Sequence, residues 1–228
     1  MNESLASLFP LAVFAVAIAA IAVTYLFAQR TKRRQIEQAR ALAAKYGFEV
    51  DVTTKPPPEL RFDLFDRGHS KKVSFQFWRP GEHDSVFDYQ YTTGSGKNSQ
   101  TFRHTCALVA LPFAAPHTKI GPEGFWSKIG QRLGIRDIEV ESPTFNQRYR
   151  VNSDDERFAI TMLDGQAIDW FLSANSVARF ELWGTWMLCI VDRLDREQVF
   201  GYHDWAIGIP AHLPEVLTSL YPPAGVTR

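Results

Sequence analysis

"ARFELWGTWMLCIV", residues 178–191, is the stretch whose reading decides the fold. Apolar residues alternate on both sides of Gly184-Thr185, which is the pattern of two short strands joined by a two-residue type II′ turn, with glycine supplying the positive φ. That register sets Leu182 opposite Met187, Phe180 opposite Cys189 and Ala178 opposite Val191, with Trp183 and Trp186 flanking the turn. One face then carries Ala178, Phe180, Leu182, Met187, Cys189 and Val191, all apolar, as a core face requires. Cys189 is thereby a small core hydrophobe rather than a nucleophile.

Working outward, "KKVSFQFW" (71–78) alternates, with Val73, Phe75 and Phe77 on its inner side. "SVFDYQYTTGSGKNSQTFRHTCALVAL" (85–111) reads as a long hairpin around the glycine-rich loop. Its two strands place Phe87, Tyr89 and Tyr91 on one face, and Phe102, His104, Cys106, Leu108 and Ala110 on one face of the partner. "PEGFWSKIGQRLG" (122–134) has Pro near a helix start and Gly at its end, with Phe125, Ile129 and Leu133 in one stripe. Short strands are expected around 138–141 and 147–151, a helix over 166–173 and another over 210–220. Strands and helices mix without regular βαβ alternation, which predicts an α+β fold: an N-terminal transmembrane helix, then one globular domain with a mainly antiparallel sheet and several helices.

Three acidic residues in a row, Asp154, Asp155 and Glu156, raise the question of a catalytic or metal cluster. "SDDE" has the form of a capping box, in which Ser153 accepts from the N–H of Glu156 and the Glu156 side chain reaches back. Asp154 and Asp155 then complement the dipole of the first helical turn. The run therefore reads as the start of a helix.

In the same region "ESPTFNQRYRVNSDDERFAITML" (141–163) resembles a stretch shared by bacterial membrane-anchored proteins grouped only as a domain of unknown function, many from high-GC Gram-positive bacteria. The shared pattern is met by Glu141, Ser142, Phe145, Asn146, Arg148, Tyr149, Val151, Asp155, Phe158 and Ala159. "FDYQYTT" (87–93) and "PEG" (122–124) are similar to two further stretches of those proteins. The likeness covers most of residues 40–192 and implies an N-terminal anchor, but it brings no catalytic or ligand residues; the 193–228 tail shows none of it.

"LASLFPLAVFAVAIAAIAVTYLFA", Leu5–Ala28, carries no charge and suffices at helical rise to cross a hydrocarbon core of roughly 30 Å. Glu3 precedes this run and Arg30, Lys32, Arg33 and Arg34 follow it, so the positive-inside rule puts the N-terminus outside and the remainder in the cytoplasm. The basic residues then rest against anionic headgroups at the membrane surface. The expected domains are an anchor over 1–30, a juxtamembrane helix and Pro-rich linker over 31–58, and a cytoplasmic α+β domain over 59–228. "QIEQARALAAKYG" (35–47) continues the helix to a glycine stop, and "TTKPPPEL" (53–60) gives the domain freedom to pivot. Two cysteines, Cys106 and Cys189, agree with a reducing compartment.

Of 228 residues, 45% are hydrophobic, enough for one packed core. Removing those four basic residues and Glu3 from 25 of each sign leaves 21 basic against 24 acidic side chains over 35–228, which argues against nucleic acid as a partner. No histidine pair has helical metal spacing; His104 and Cys106 share a strand face, yet no further ligands accompany them, so neither metal nor cofactor is expected. "GSGKNS" (94–99) lacks the phosphate-loop spacing, and no nucleophile elbow or dinucleotide fingerprint occurs. Two classes follow. The first is a non-enzymatic module at the membrane that binds a protein or lipid partner, with Tyr89, Tyr91, Trp78, Trp183 and Trp186 as contacts where their faces are exposed. The alternative is a membrane-tethered enzyme, for which Asp155, His104 and Arg148 are the only nameable residues.

Overall fold

Residues Arg179–Asp192 form one 14-residue strand rather than a hairpin. This computed structural model describes residues 3–52, 61–123, 125, 138–173 and 178–223, with the side chains of α1 described from Ala17 onward. The elements are α1 (Glu3–Tyr46), β1 (Glu49–Asp51), α2 (Asp63–Asp66), β2 (His69–Trp78), β3 (Ser85–Thr93), β4 (Gln100–Gly121), α3 (Pro143–Arg148), β5 (Arg150–Ser153), α4 (Glu156–Met162), α5 (Gly165–Ser173), β6 (Arg179–Asp192), α6 (Gln198–Ile207) and α7 (Val216–Leu220). The fold is α+β, and the described strands form one antiparallel sheet.

β4 is the spine of that sheet. Its first half pairs with β3 over Gln100–Leu108, its end pairs with β5 over Thr118–Gly121, and β6 runs along its other edge from His104 to Ile120. The β3–β4 register sets Phe87 against Cys106, Tyr89 against His104 and Tyr91 against Phe102, as the alternation predicts.

β6 carries the face expected of it by a different route. Ala178, Phe180, Leu182, Met187, Cys189 and Val191 all lie in one core cluster, but Leu182 pairs with Thr118 and Met187 with Val109 of β4. Residues 182 and 187 differ by an odd number, so sharing a face requires an extra residue in the strand. The irregular segment around Gly184 (φ +58) supplies it, facing a matching irregularity in β4 between Ala110 and Thr118 that contains Pro112 and Pro116. The same device alters β2. Phe75 adopts φ +52 within a register shift, so Val73 enters one core cluster and Phe77 the other, while Phe75 stays half-buried.

The larger cluster gathers Phe145, Phe158, Phe171, Phe200 and Leu217 from α3, α4, α5, α6 and α7 against one sheet face. The smaller one covers the other face with Phe62, Leu64 and Phe65 at α2 against Phe87, Tyr89, Tyr91, Leu188 and Ile190. Each fully buried aromatic or leucine side chain stabilises by roughly 1.5–3 kcal/mol, so both layers matter.

Several local expectations change. Gln147 belongs to α3, capped by Ser142, and the strand begins at Arg150. The cap of α4 is Asp155, whose Oδ1 accepts from Phe158 N at 3.0 Å. Ser153 ends β5 and bonds Thr118 Oγ1 at 2.6 Å, so the predicted capping box is replaced by a single aspartate cap. α6 lies in the tail, where no helix was expected, and the 210–220 helix is a 3₁₀ turn (Ile209–His212) followed by α7. The helix expected over 122–134 lies almost wholly outside the described residues.

α1 is one 44-residue helix that joins the apolar run to the juxtamembrane stretch. It ends in a Schellman motif: Phe48 N bonds Ala43 O at 2.8 Å, Gly47 N bonds Ala44 O at 3.3 Å, and Gly47 takes φ +77. Ala39 and Ala43 are buried in the core, Tyr46 stacks on Phe200 at 4.6 Å, and β1 pairs at once with β2. The helix is therefore fixed to the domain ahead of the Pro-rich stretch, which corrects the expected pivot. Among the described residues no helix is long and apolar enough to cross a membrane.

Gly184→Ala is expected to cost about 1 kcal/mol, because nothing lies within 4 Å of the added Cβ and only the left-handed backbone is penalised. Gly184→Asn should cost about half as much, since asparagine tolerates that conformation. Urea denaturation of the two variants checks both; a neutral Ala variant would mean that φ at 184 is negative.

Candidate functional site

On the strand face opposite the main core, Glu181 interrupts an apolar strand and is fully buried. It stands beside Lys119 in the β4–β6 register, and His117 projects two residues away on the same side of β4. The start of α2 closes over them. Glu181 Oε1 accepts from Asp63 N at 2.6 Å and from His117 Nε2 at 2.8 Å, and Oε2 accepts from Leu64 N at 3.4 Å. α2 has no cap bond from its own N-cap residue, Phe62, so a carboxylate from a remote strand does that work. Lys119 Nζ holds Asp63 Oδ2 at 2.8 Å, and Trp183 meets the His117 ring edge-on at 4.7 Å. Asp63, His117 and Glu181 place ligating atoms within 4.8 Å of one another.

Burial raises the Glu181 carboxyl above the ordinary carboxylate range, while the hydrogen bonds from His117 and Asp63 N–H pull it back. A buried charge of this kind is tolerated only when its lone pairs are filled. Chemically, the cluster offers a carboxylate–imidazole pair with a second carboxylate and an ammonium at its rim.

A second polar group lies in the smaller cluster. His104 is buried, its ring stacked on Tyr91 at 5.9 Å and edge-on to Phe125 at 6.3 Å. The guanidinium groups of Arg67 and Arg179 lie over the Phe125 ring at 4.3 and 4.4 Å. Burial first, then the positive Arg179, pushes the imidazole down to about 4.

The residues singled out from sequence fall apart as sites. Tyr89 and Tyr91 are buried in the smaller cluster and present no surface to a partner. Trp78 and Trp186 are half-buried; Trp183, 38% exposed, is the most open of the five. Asp155 caps α4 and accepts from Tyr221 OH at 3.0 Å, Arg148 donates to Leu172 O at 3.1 Å, and His104 faces the other cluster, so the three serve three different places. Burial pushes both thiols, Cys106 and Cys189, above their usual range, as inert core cysteines require. Arg30, Lys32, Arg33 and Arg34 are all exposed on α1. Sequence reasoning missed Asp63, His117 and Glu181; the available signal was a lone acid inside the apolar run 178–191.

Glu181→Ala leaves two backbone N–H groups and an imidazole without their acceptor and is expected to cost about 3 kcal/mol in urea denaturation, with Glu181→Gln costing about half. Hydrogen exchange should show the loss first at Asp63–Asp66. His104 gives a pH signature. The unfolded chain protonates this imidazole from the ordinary value of 6.5, whereas the folded chain does so only near 4. Stability therefore falls on acidification across that window, by up to about 3 kcal/mol at its acid end, and His104→Phe should flatten the fall. An unchanged slope in the variant would assign the acid sensitivity elsewhere.

No family model and no curated protein matches the chain. Among solved structures, the fold is similar to the crystal structure of the mycobacterial trehalose monomycolate transport factor A, with a TM-score of 0.54 at 11% identity over 78% of this chain and 95% of that one. At such low identity the likeness is one of fold.

Proposed function

We propose that this chain is a non-enzymatic module held at the membrane by α1, whose α+β domain recruits a partner of a lipid-transport system. The observation that carries the membrane part is the state of α1 between Ala17 and Phe27: Ile18, Ile21, Val23, Leu26 and Phe27 are all more than half exposed, on all sides of a helix that has left its own domain. Exposed apolar side chains around a whole helix call for an apolar solvent, and the uncharged run Leu5–Ala28, which begins ahead of the described side chains, has by sequence the length of a single-pass span. Arg30, Lys32, Arg33 and Arg34 follow directly and orient the domain toward the cytoplasm, N-terminus outside. The lipid-transport part is supported by the fold shared with the mycobacterial factor. Trp183 is the candidate partner contact that the surface leaves open.

Mild-detergent co-purification of the tagged full-length chain beside a 35–228 fragment tests this reading. The fragment keeps Ala39, Ala43 and the Schellman end, so its domain retains the docked helix terminus. The full-length chain is expected in the alkali-resistant membrane fraction and the fragment in the soluble one, with one transport-associated protein retained by both and weakened about tenfold by Trp183→Ala. A full-length chain washed from membranes by alkali would sink the anchor, and two bare preparations would sink recruitment.

A further inference from the structure

We propose that Asp63, His117 and Glu181 bind a divalent cation of the zinc class through one imidazole nitrogen and two carboxylate oxygens. The three come from α2, β4 and β6, remote in sequence, and the fold brings their ligating atoms within 4.8 Å of one another. His117 Nε2 lies 2.8 Å from Glu181 Oε1 and 3.9 Å from Asp63 Oδ1. Zinc bonds of about 2.0–2.1 Å at tetrahedral angles put neighbouring ligand atoms about 3.4 Å apart. The two imidazole–carboxylate separations bracket that value, and the carboxylate oxygens, within 4.8 Å of one another, close on a shared ion by side-chain rotation.

The surroundings are those that hold metal ligands in place. Lys119 occupies Asp63 Oδ2, which leaves Oδ1 as the oxygen turned toward the imidazole and beyond hydrogen-bond reach of it. The backbone N–H groups of Asp63 and Leu64 fix the Glu181 carboxylate. Hydrogen bonds to ligating carboxylates of this kind orient them and tune their affinity. Docking α2 uses Glu181, those two N–H groups and the His117 hydrogen bond; the approach of Asp63 Oδ1 to the same point is not required for it.

Charge points the same way. With a neutral imidazole, two carboxylates face one ammonium around a fully buried Glu181. A dication offsets the excess. Trp183 also meets the imidazole edge-on at 4.7 Å. One nitrogen and two oxygens favour zinc-like ions over calcium, which takes oxygen ligands alone, and over thiolate-seeking ions. Three protein ligands leave a fourth position open to water or a further ligand.

The test uses the untagged full-length chain in detergent, stripped with chelator and titrated with Zn²⁺ alone by calorimetry, with Co²⁺ absorption as the spectroscopic reporter. One Zn²⁺ per chain is expected, with a tetrahedral Co²⁺ spectrum and a change in tryptophan fluorescence. Asp63→Asn, at a partly exposed position, should retain the fold by circular dichroism and weaken Zn²⁺ binding about tenfold or more. His117→Gln should abolish the Co²⁺ spectrum. Absence of stoichiometric Zn²⁺ binding, unchanged affinity in folded Asp63→Asn and His117→Gln, or equal binding of Ca²⁺ would each overturn the proposal. None of these readings depends on the membrane or transport role.

Discussion

The β4–β6 ladder must bend while keeping apolar side chains on both of its faces, and the rest of the domain depends on how it does so. Straight strands of this length would alternate faithfully and turn one half of their core residues outward past the bend. The paired irregularities, Gly184 in β6 and the Pro112–Pro116 segment in β4, restore the alternation on the far side. Five helices then find an unbroken apolar surface beneath them, and α2 finds another on the reverse. The residue that lands on that reverse face beyond the bend is Glu181, and the same geometry that orders the core thus delivers a carboxylate to a dry place.

The parity of the apolar residues in 178–191 was fully legible in the sequence, and its cause was not. A two-residue turn and a one-residue bulge each displace the alternation by one, and each favours a glycine at positive φ. Only the partner strand distinguishes them, and β4 is too far along the chain for local pattern to name it. β2 repeats the lesson, since Phe75 at φ +52 is a conformation that no propensity would assign to phenylalanine. The β3–β4 hairpin was readable because Ser85–Thr93 pairs with Gln100–Leu108 without a register shift. α6 was hidden by Gly201 at its centre and by a polar approach, although Val199, Phe200, His203 and Ala206 share its buried side.

The candidate site was illegible for a related reason. Asp63 and Glu181 are 118 residues apart, and no spacing rule reaches across that distance. The acidic run that drew notice, Asp154 to Glu156, turned out to serve helix initiation, with Asp155 rather than Ser153 as the cap. Charged residues in tandem are mostly solvated, whereas a solitary one inside an apolar strand must find partners or lose its charge. His104 shows the opposite solution: it keeps its place in an aromatic stack by remaining neutral.

The docked end of α1 turns the helix into a ruler. Side chains are exposed from Ala17 to Gln35 and burial begins at Ile36, so in the membrane-held arrangement proposed above the stretch from Gln29 to Gln35 is a spacer with no joint in it. Each residue of that spacer sets both height and azimuth, about 1.5 Å and about 100° in a continuous α-helix. In that proposed arrangement the face of the domain that Trp183 occupies points in one fixed direction over the bilayer, and the length of the helix, counted in residues, chooses what that face can meet.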